Sequence, residues 1–275
     1  MNRRRRAGGG TRVPVAVSLA LLVGVVAGAC GGVGETPVGT RLAVFGAASL
    51  RSALQAAAAA YTIAEPGTTI DLATDSSATM RTQIEQGAPA DVFLAADLRN
   101  PEALVEAGLA DGGVVAFAST PLAIIVPASN PAAILGPSDL ARPGVRIVAA
   151  GDGVPISGYA TALLDRLAGL DGYPADYASA VAANIVSRED NVAAVAAKVG
   201  LGEGDAGIVY ATDALAAAAG VRAIAIPPEA IVTATYGGVV VATSPRRPAA
   251  GAFLGWLAGP AGGAVLADFG FGPPP

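Results

Sequence analysis

A chain of 275 residues with a formal charge of −5 and no histidine is long enough for one large domain or two small ones. The missing histidine removes the usual general base near neutral pH and the commonest metal ligand. Ser-His-Asp and Cys-His catalysis and the usual zinc sites are therefore excluded from this chain acting alone, while paired-carboxylate chemistry stays open.

The N-terminus reads first as an export signal. "MNRRRRAGGGTR" is a positive segment, and an apolar run from Val13 follows it, ending in the single cysteine, Cys30. Residues 1–29 are expected to be a signal peptide. "VAGAC", with small residues before the cysteine, is similar to a bacterial lipobox. Lipidation of Cys30 would account for a cysteine that has no partner within the chain. Gly-rich residues 30–40 then form a flexible tether. Losing the five arginines of residues 1–29, which hold no acid, takes the formal charge from −5 to −10. So acidic a chain is a poor partner for nucleic acid. No later apolar run is long enough to span a bilayer.

Strands and helices then alternate. Hydrophobic residues make up 53% of the chain and aromatics only 5%, which predicts a core of small side chains with Val, Ile and Leu in strands. "RLAVFGAA" predicts a strand, and "SLRSALQAAAAAYT" a helix burying Leu50, Ala53, Leu54 and Ala57. "TTIDLAT" is a strand and "SATMRTQIEQ" a helix closed by Gly87. "ADVFLAA" is a strand and "NPEALVEAG" a helix. "PLAIIVP" is a strand, "PSDLAR" a short helix and "VRIVAA" a strand. "SGYATALLDRLAG" and "NVAAVAAKVG" are helices, with Pro155 and Ile156 just ahead of the former. "DAGIVY" is a strand, "TDALAAAA" a helix, and "VRAIAIP" and "YGGVVVATS" are strands. Two helices follow. The pattern is α/β, with mostly parallel strands between helices.

Four joints between strand and helix carry polar or capping residues: Ser49, the pair Ser76 and Ser77, the "GVPISG" turn, and Asp190 or Asn191 ahead of Val192. A helix N-terminus presents unpaired N–H groups and a partial positive charge, so a serine there either caps the helix or turns toward a bound anion. In open α/β sheets such joints lie at the carboxyl ends of strands, where ligands bind. Asp91 and Asp97 flank a strand and are expected to satisfy turns. Tyr159 and Tyr236 are expected to pack. Arg51 and Arg81 are expected to be solvated.

Five segments in this order and spacing, "VFGAASLRSAL", "DSSATMRTQIEQGAPADVFLAAD", "DGVPISGYATALL", "EDNVAAVAAKV" and "DAGIVYATDAL", resemble the periplasmic molybdate-binding proteins of ABC transporters. The resemblance runs from about Arg41 to Gly272. It implies an oxyanion site made of the hydroxyl and amide of Ser49, Ser77, the backbone amides of Ile156 and Val192, and the phenol of Tyr210. All are uncharged donors, which suits a dianion that has only acceptors to offer. No residue would ligate a metal directly; the metal would arrive as its oxyanion, and no cofactor is implied. Two departures stand out. Asp75 precedes the paired serines, so it is expected to point away or be hydrogen-bonded. Ser157 is inserted beside Ile156, which leaves open which of the two donates.

The resemblance further implies a two-lobed periplasmic-binding-protein fold, each lobe a mostly parallel sheet flanked by helices, with the ligand in the cleft between them. Lobe 1 would hold residues 41–118 and 236–275, and lobe 2 residues 119–235. The expected function is a monomeric, non-enzymatic, lipid-anchored receptor on the outer face of the cell membrane. It would capture molybdate, with tungstate as a second ligand, and pass it to an ABC permease. A receptor for sulfate or another tetrahedral oxyanion is the alternative. A carboxylate-dependent surface hydrolase is the alternative of a different class; it requires paired acids in the cleft.

Overall fold

The computed structural model describes residues 39–275. The expected signal peptide, Cys30 and the tether as far as residue 38 lie outside the described residues. The first strand, β1 (Thr40–Ala47), runs parallel to β2 (Thr68–Asp75) and to β3 (Val92–Ala95), in the order β2-β1-β3. It starts one residue inside the expected tether. The Thr40 amide donates to the Gly67 carbonyl at 2.7 Å, and a β-branched residue suits the pleat. A second parallel trio has the order β6-β5-β7. Its strands are β5 (Ile147–Ala150), β6 (Ile185–Glu189) and β7 (Ala206–Tyr210).

Two antiparallel strands join the trios. β9 (Thr233–Val240) pairs with β3, while β4 (Val115–Pro127) pairs with β9 through its first half and with β7 through its second. β8 (Val221–Ile224) pairs with the far end of β4. The sequence predicts a strand only over Pro121–Pro127 of β4. In the fold Pro121 still faces Thr233 of β9, and the next residue, Leu122, faces Tyr210 of β7. The missing amide thus falls where the strand changes partners, a position at which proline is tolerated.

Helices cover both sheets. α1 (Arg51–Ala64) follows a 3-10 turn at Ala48–Leu50 and buries Ala53, Leu54, Ala57 and Tyr61. α2 (Ser77–Glu85) is followed by Gly87, whose φ of +89° suits a residue without a Cβ. α3 (Arg99–Glu106) comes next. α4 (Pro155–Ala168) starts two residues earlier than expected. Pro155 and Ile156 belong to its first turn, where proline loses no hydrogen bond. α5 (Tyr177–Ala183) and strand β6 were both missed by the sequence reading. α6 (Val192–Gly200), α7 (Ala211–Ala216), α8 (Arg247–Ala258) and α9 (Pro260–Ala267) complete the described residues.

Small residues set the spacing. A Cβ on Gly207 would lie 2.9 Å from Val195 and 3.1 Å from the Val148 carbonyl, so glycine lets α6 sit close on β7. That packing draws the start of α6 toward the end of β7. The two trios point their carboxyl ends at one region. Ser49 lies two residues past β1, Ser77 two past β2, Pro155 five past β5 and Val192 three past β6, while Tyr210 ends β7.

Candidate functional site

Residues Ser49, Ser77, Val192 and Tyr210 surround a single small space, together with Ala47, Ala48, Ser76, Ala96, Val154, Pro155 and Asn191. Among these lining residues there is no Asp, Glu, Lys or Arg. Ile156 does not line the space with its side chain, which is buried in a separate apolar cavity beneath α4. Its backbone follows Pro155 on the rim.

The paired serines divide their roles. Ser76 is the N-cap of α2: its Oγ accepts the Thr79 amide at 3.1 Å and exchanges a hydrogen bond with the Thr79 hydroxyl at 2.8 Å. Ser77 Oγ accepts the Ala96 amide at 3.0 Å. Accepting there leaves the hydroxyl proton of Ser77 for another acceptor. Ser49 is not a helix cap; its hydroxyl is hydrogen-bonded to that of Tyr236 at 3.0 Å. Tyr236 therefore orients Ser49 as well as packing, which the sequence reading missed. No local pattern ties two residues 187 positions apart.

Backbone amides supply the rest. Asn191 caps α6 by accepting the Ala194 amide at 3.1 Å, which assigns the cap left open between Asp190 and Asn191. Among the described residues, the amides of Ser49, Ser77, Ile156 and Val192 find no hydrogen-bond partner. This is the condition of first-turn amides that no side chain satisfies. Ser157 is excluded as a donor to the space. Its hydroxyl donates to the carbonyls of Gly151 at 2.7 Å and Ala150 at 3.1 Å, and its amide to that of Val154 at 3.0 Å.

The Tyr210 side chain is 1% exposed, yet its hydroxyl has no partner among the described residues. Burial first, then the neighbouring Tyr236, Tyr159, Asp213 and Asp97, hold that phenol well above its ordinary pKa. It therefore keeps its proton and remains a donor. Edge-on rings of Tyr236 at 5.6 Å and Tyr159 at 6.3 Å fix its direction.

Acidic neighbours are engaged elsewhere. Asp75 Oδ1 accepts the Ser76 amide at 2.7 Å and the Asn191 side-chain amide at 3.0 Å. Asp97 holds the start of α3 through Asn100. Asp91 takes the Ala43 amide, the Ser244 hydroxyl and Arg246. Arg51 is exposed and Arg81 pairs with Glu85, and neither lines the space. Among the described residues, no three His, Cys, Asp or Glu side chains gather to hold a metal ion.

The family model for bacterial extracellular solute-binding proteins matches residues 42–272. This chain belongs to that family. Among its relatives, the Mycobacterium tuberculosis protein named molybdate-binding protein ModA is 33% identical over 94% of this chain and 96% of its own. Two solved structures share the fold of this solute-binding protein. The Azotobacter vinelandii periplasmic molybdate-binding protein has a TM-score of 0.70 and 24% identity over 85% of this chain and all of its own. The sulfate-binding protein SubI of M. tuberculosis has a TM-score of 0.75 and 23% identity over 85% of this chain and 87% of its own. The periplasmic-binding-protein fold expected from the sequence is the fold observed. The family is one of substrate-binding transport proteins, which act outside the cytoplasm.

Behind the site, Asp213 caps α7 by accepting the Tyr210 amide at 3.3 Å, and burial pushes its carboxyl from 3.8 up to about 7. The folded state thus holds this proton more tightly than the unfolded chain. The stability it contributes is full below about pH 4 and is lost as pH rises through about 7. Asp213→Asn keeps an acceptor for the Tyr210 amide and removes the titration. Urea melts of the ligand-free protein across this range should show a shallower fall with pH in the variant; parallel curves would refute the assignment.

Proposed function

We propose that this solute-binding protein captures molybdate, with tungstate as a second ligand, and delivers it to an ABC importer. It does so without chemical turnover. The name of the 33%-identical relative supports molybdate. The observation that carries the reading is the convergence of neutral donors on one space free of charged side chains. A tetrahedral dianion has only acceptors. The hydroxyls of Ser49, Ser77 and Tyr210 and the amides of Ser49, Ser77, Ile156 and Val192 offer it only donors. In a site with little water such hydrogen bonds to a charged group are strong, so no counter-ion is needed. Helix N-termini at α2, α4 and α6 add favourable dipoles. A hydrolase would need paired acids at this place; no carboxylate lines the space, and the adjoining Asp75 is held by two N–H donors.

The architecture suits a receptor that signals loading. In this reading lobe 1 spans residues 41–118 and 236–275 and lobe 2 residues 119–235, with β4 and the start of β9 as crossovers. An anion touching both lobes favours their closed arrangement through its differential affinity, and a permease recognises that arrangement. Cys30 carries the lipid that anchors the monomer to the outer face of the membrane.

Calorimetry and thermal melting with molybdate, tungstate, sulfate and phosphate test the assignment. Molybdate at about 100 times its dissociation constant should add about 2.7 kcal/mol of stability. A response to sulfate as strong as that to molybdate would reassign the oxyanion. No response to any of the four would remove the site.

A further inference from the structure

We infer that Asp75 and Asn191 are a positioning pair that holds the two halves of the oxyanion site at their closed spacing. The inference rests on the reading of that site as an anion receptor closing between two lobes. Asp75 ends β2, in the first parallel trio, and Asn191 lies between β6 of the second trio and α6. They stand 116 residues apart in the chain, and Asn191 Nδ2 donates to Asp75 Oδ1 at 3.0 Å. The same carboxylate oxygen accepts the Ser76 amide at 2.7 Å. At its other end, Asn191 Oδ1 accepts the Ala194 amide at 3.1 Å.

One oxygen therefore ties the turn before Ser77 to the turn before Val192. Each anchor is within two residues of a donor to the anion, so the bond fixes the distance between donor groups from opposite sheets. Both ends of the Asn191 side chain are used, one to cap its own helix and one to reach across. Asp75 itself does not line the space, whereas Asn191 does. The carboxylate thus holds the rim without presenting an acceptor to the anion. A pair that favours the closed form before ligand arrives raises the binding-competent fraction, and apparent affinity rises with it.

The test is a double-variant cycle that adds no charge to the site. Asn191→Ser keeps a cap for α6 and removes the reach to Asp75. Asp75→Ala removes the acceptor. The double variant Asp75→Ala/Asn191→Ser removes both ends of the same bond. Stopped-flow release of molybdate and small-angle scattering of the ligand-free protein are the readouts.

Asn191→Ser should release molybdate about tenfold faster, in line with loss of a hydrogen bond to a charged group, and should have a larger radius of gyration when ligand-free. Asp75→Ala should enlarge the ligand-free radius in the same way. The double variant should release molybdate within about twofold of Asn191→Ser, because both changes break one bond, a coupling that damage to the cap alone would not give. Unchanged release and radius in Asn191→Ser, or effects of the two changes that simply multiply, would overturn the pair. If the parent protein does not bind molybdate, the anion reading fails separately, and the ligand-free radii still decide whether the cross-link holds the two halves together.

Discussion

Tyr210→Phe should make the ligand-free protein more stable and the molybdate complex weaker. In the parent the Tyr210 hydroxyl is buried without a partner among the described residues. A buried polar group left unpaired costs roughly 1–3 kcal/mol, so its removal should raise the ligand-free stability by about 1 kcal/mol. Phenylalanine keeps the ring contacts with Tyr159 and Tyr236, at 6.3 and 5.6 Å, so little packing is lost. The anion, however, loses a donor that burial keeps protonated. Hydrogen bonds to charged groups contribute roughly 1.5–3 kcal/mol, so affinity should fall by about tenfold to a hundredfold. Ligand stabilisation grows with concentration over dissociation constant. Melting curves of the two proteins should therefore exchange order as molybdate is titrated: the variant melts higher without ligand and lower at saturation. A variant less stable without ligand, or one of unchanged affinity, would mean that the hydroxyl serves the fold rather than the anion.

This opposition explains why the site could be only partly read from sequence. Local signals carried far: the caps, the glycine closing α2 and the apolar face of α1 are each decided within a few residues, and the resemblance rested on such segments. Ser76 and Ser77 were legible as a pair, but not which one caps. That depends on the Ala96 amide reaching Ser77 from the end of β3. Ile156 against Ser157 was decided in the same way, by the Ala150 and Gly151 carbonyls that take the Ser157 hydroxyl. Strand β6 was missed because its residues alternate only half-buried and exposed, as suits an edge strand with a weak apolar signal. The first half of β4 lay outside the predicted strand, and the fold carries the strand through Pro121 at its change of partner. Tyr236 on Ser49 and Asn191 on Asp75 are tertiary pairings with no pattern in spacing at all.

Those pairings also bear on how a chain of formal charge −5 can hold a dianion. At long range the protein repels its ligand, and salt should soften that repulsion. In the proposed site the repulsion is offset at contact by donors whose directions are set before the anion arrives. Ser49 is held by Tyr236, Ser77 by Ala96, and the amides by the helices that begin with them. Selectivity then follows from how well a tetrahedron of a given size meets a fixed set of directions, rather than from charge.

The direct test of that idea removes one backbone donor and nothing else of its chemistry. Val192 is the first residue of α6, with Asn191 as N-cap at φ −156° and ψ 166°. A residue before proline is pushed toward such extended angles, and proline itself is well tolerated at the first helical position, whose N–H has no helical partner. Val192→Pro should therefore fold, with a stability loss of about 1 kcal/mol from altered packing of a buried side chain. The anion loses one amide donor. Calorimetry should register about 1.5–3 kcal/mol weaker binding of molybdate, an effect larger than the change in ligand-free stability. A control, Val192→Ala, keeps the amide and removes the side chain; it should weaken molybdate less than Val192→Pro. Equal losses in the two variants would mean that the packing of the Val192 side chain, not its amide, matters to the anion. Undiminished affinity in Val192→Pro would remove that amide from the site and leave the anion to the remaining donors.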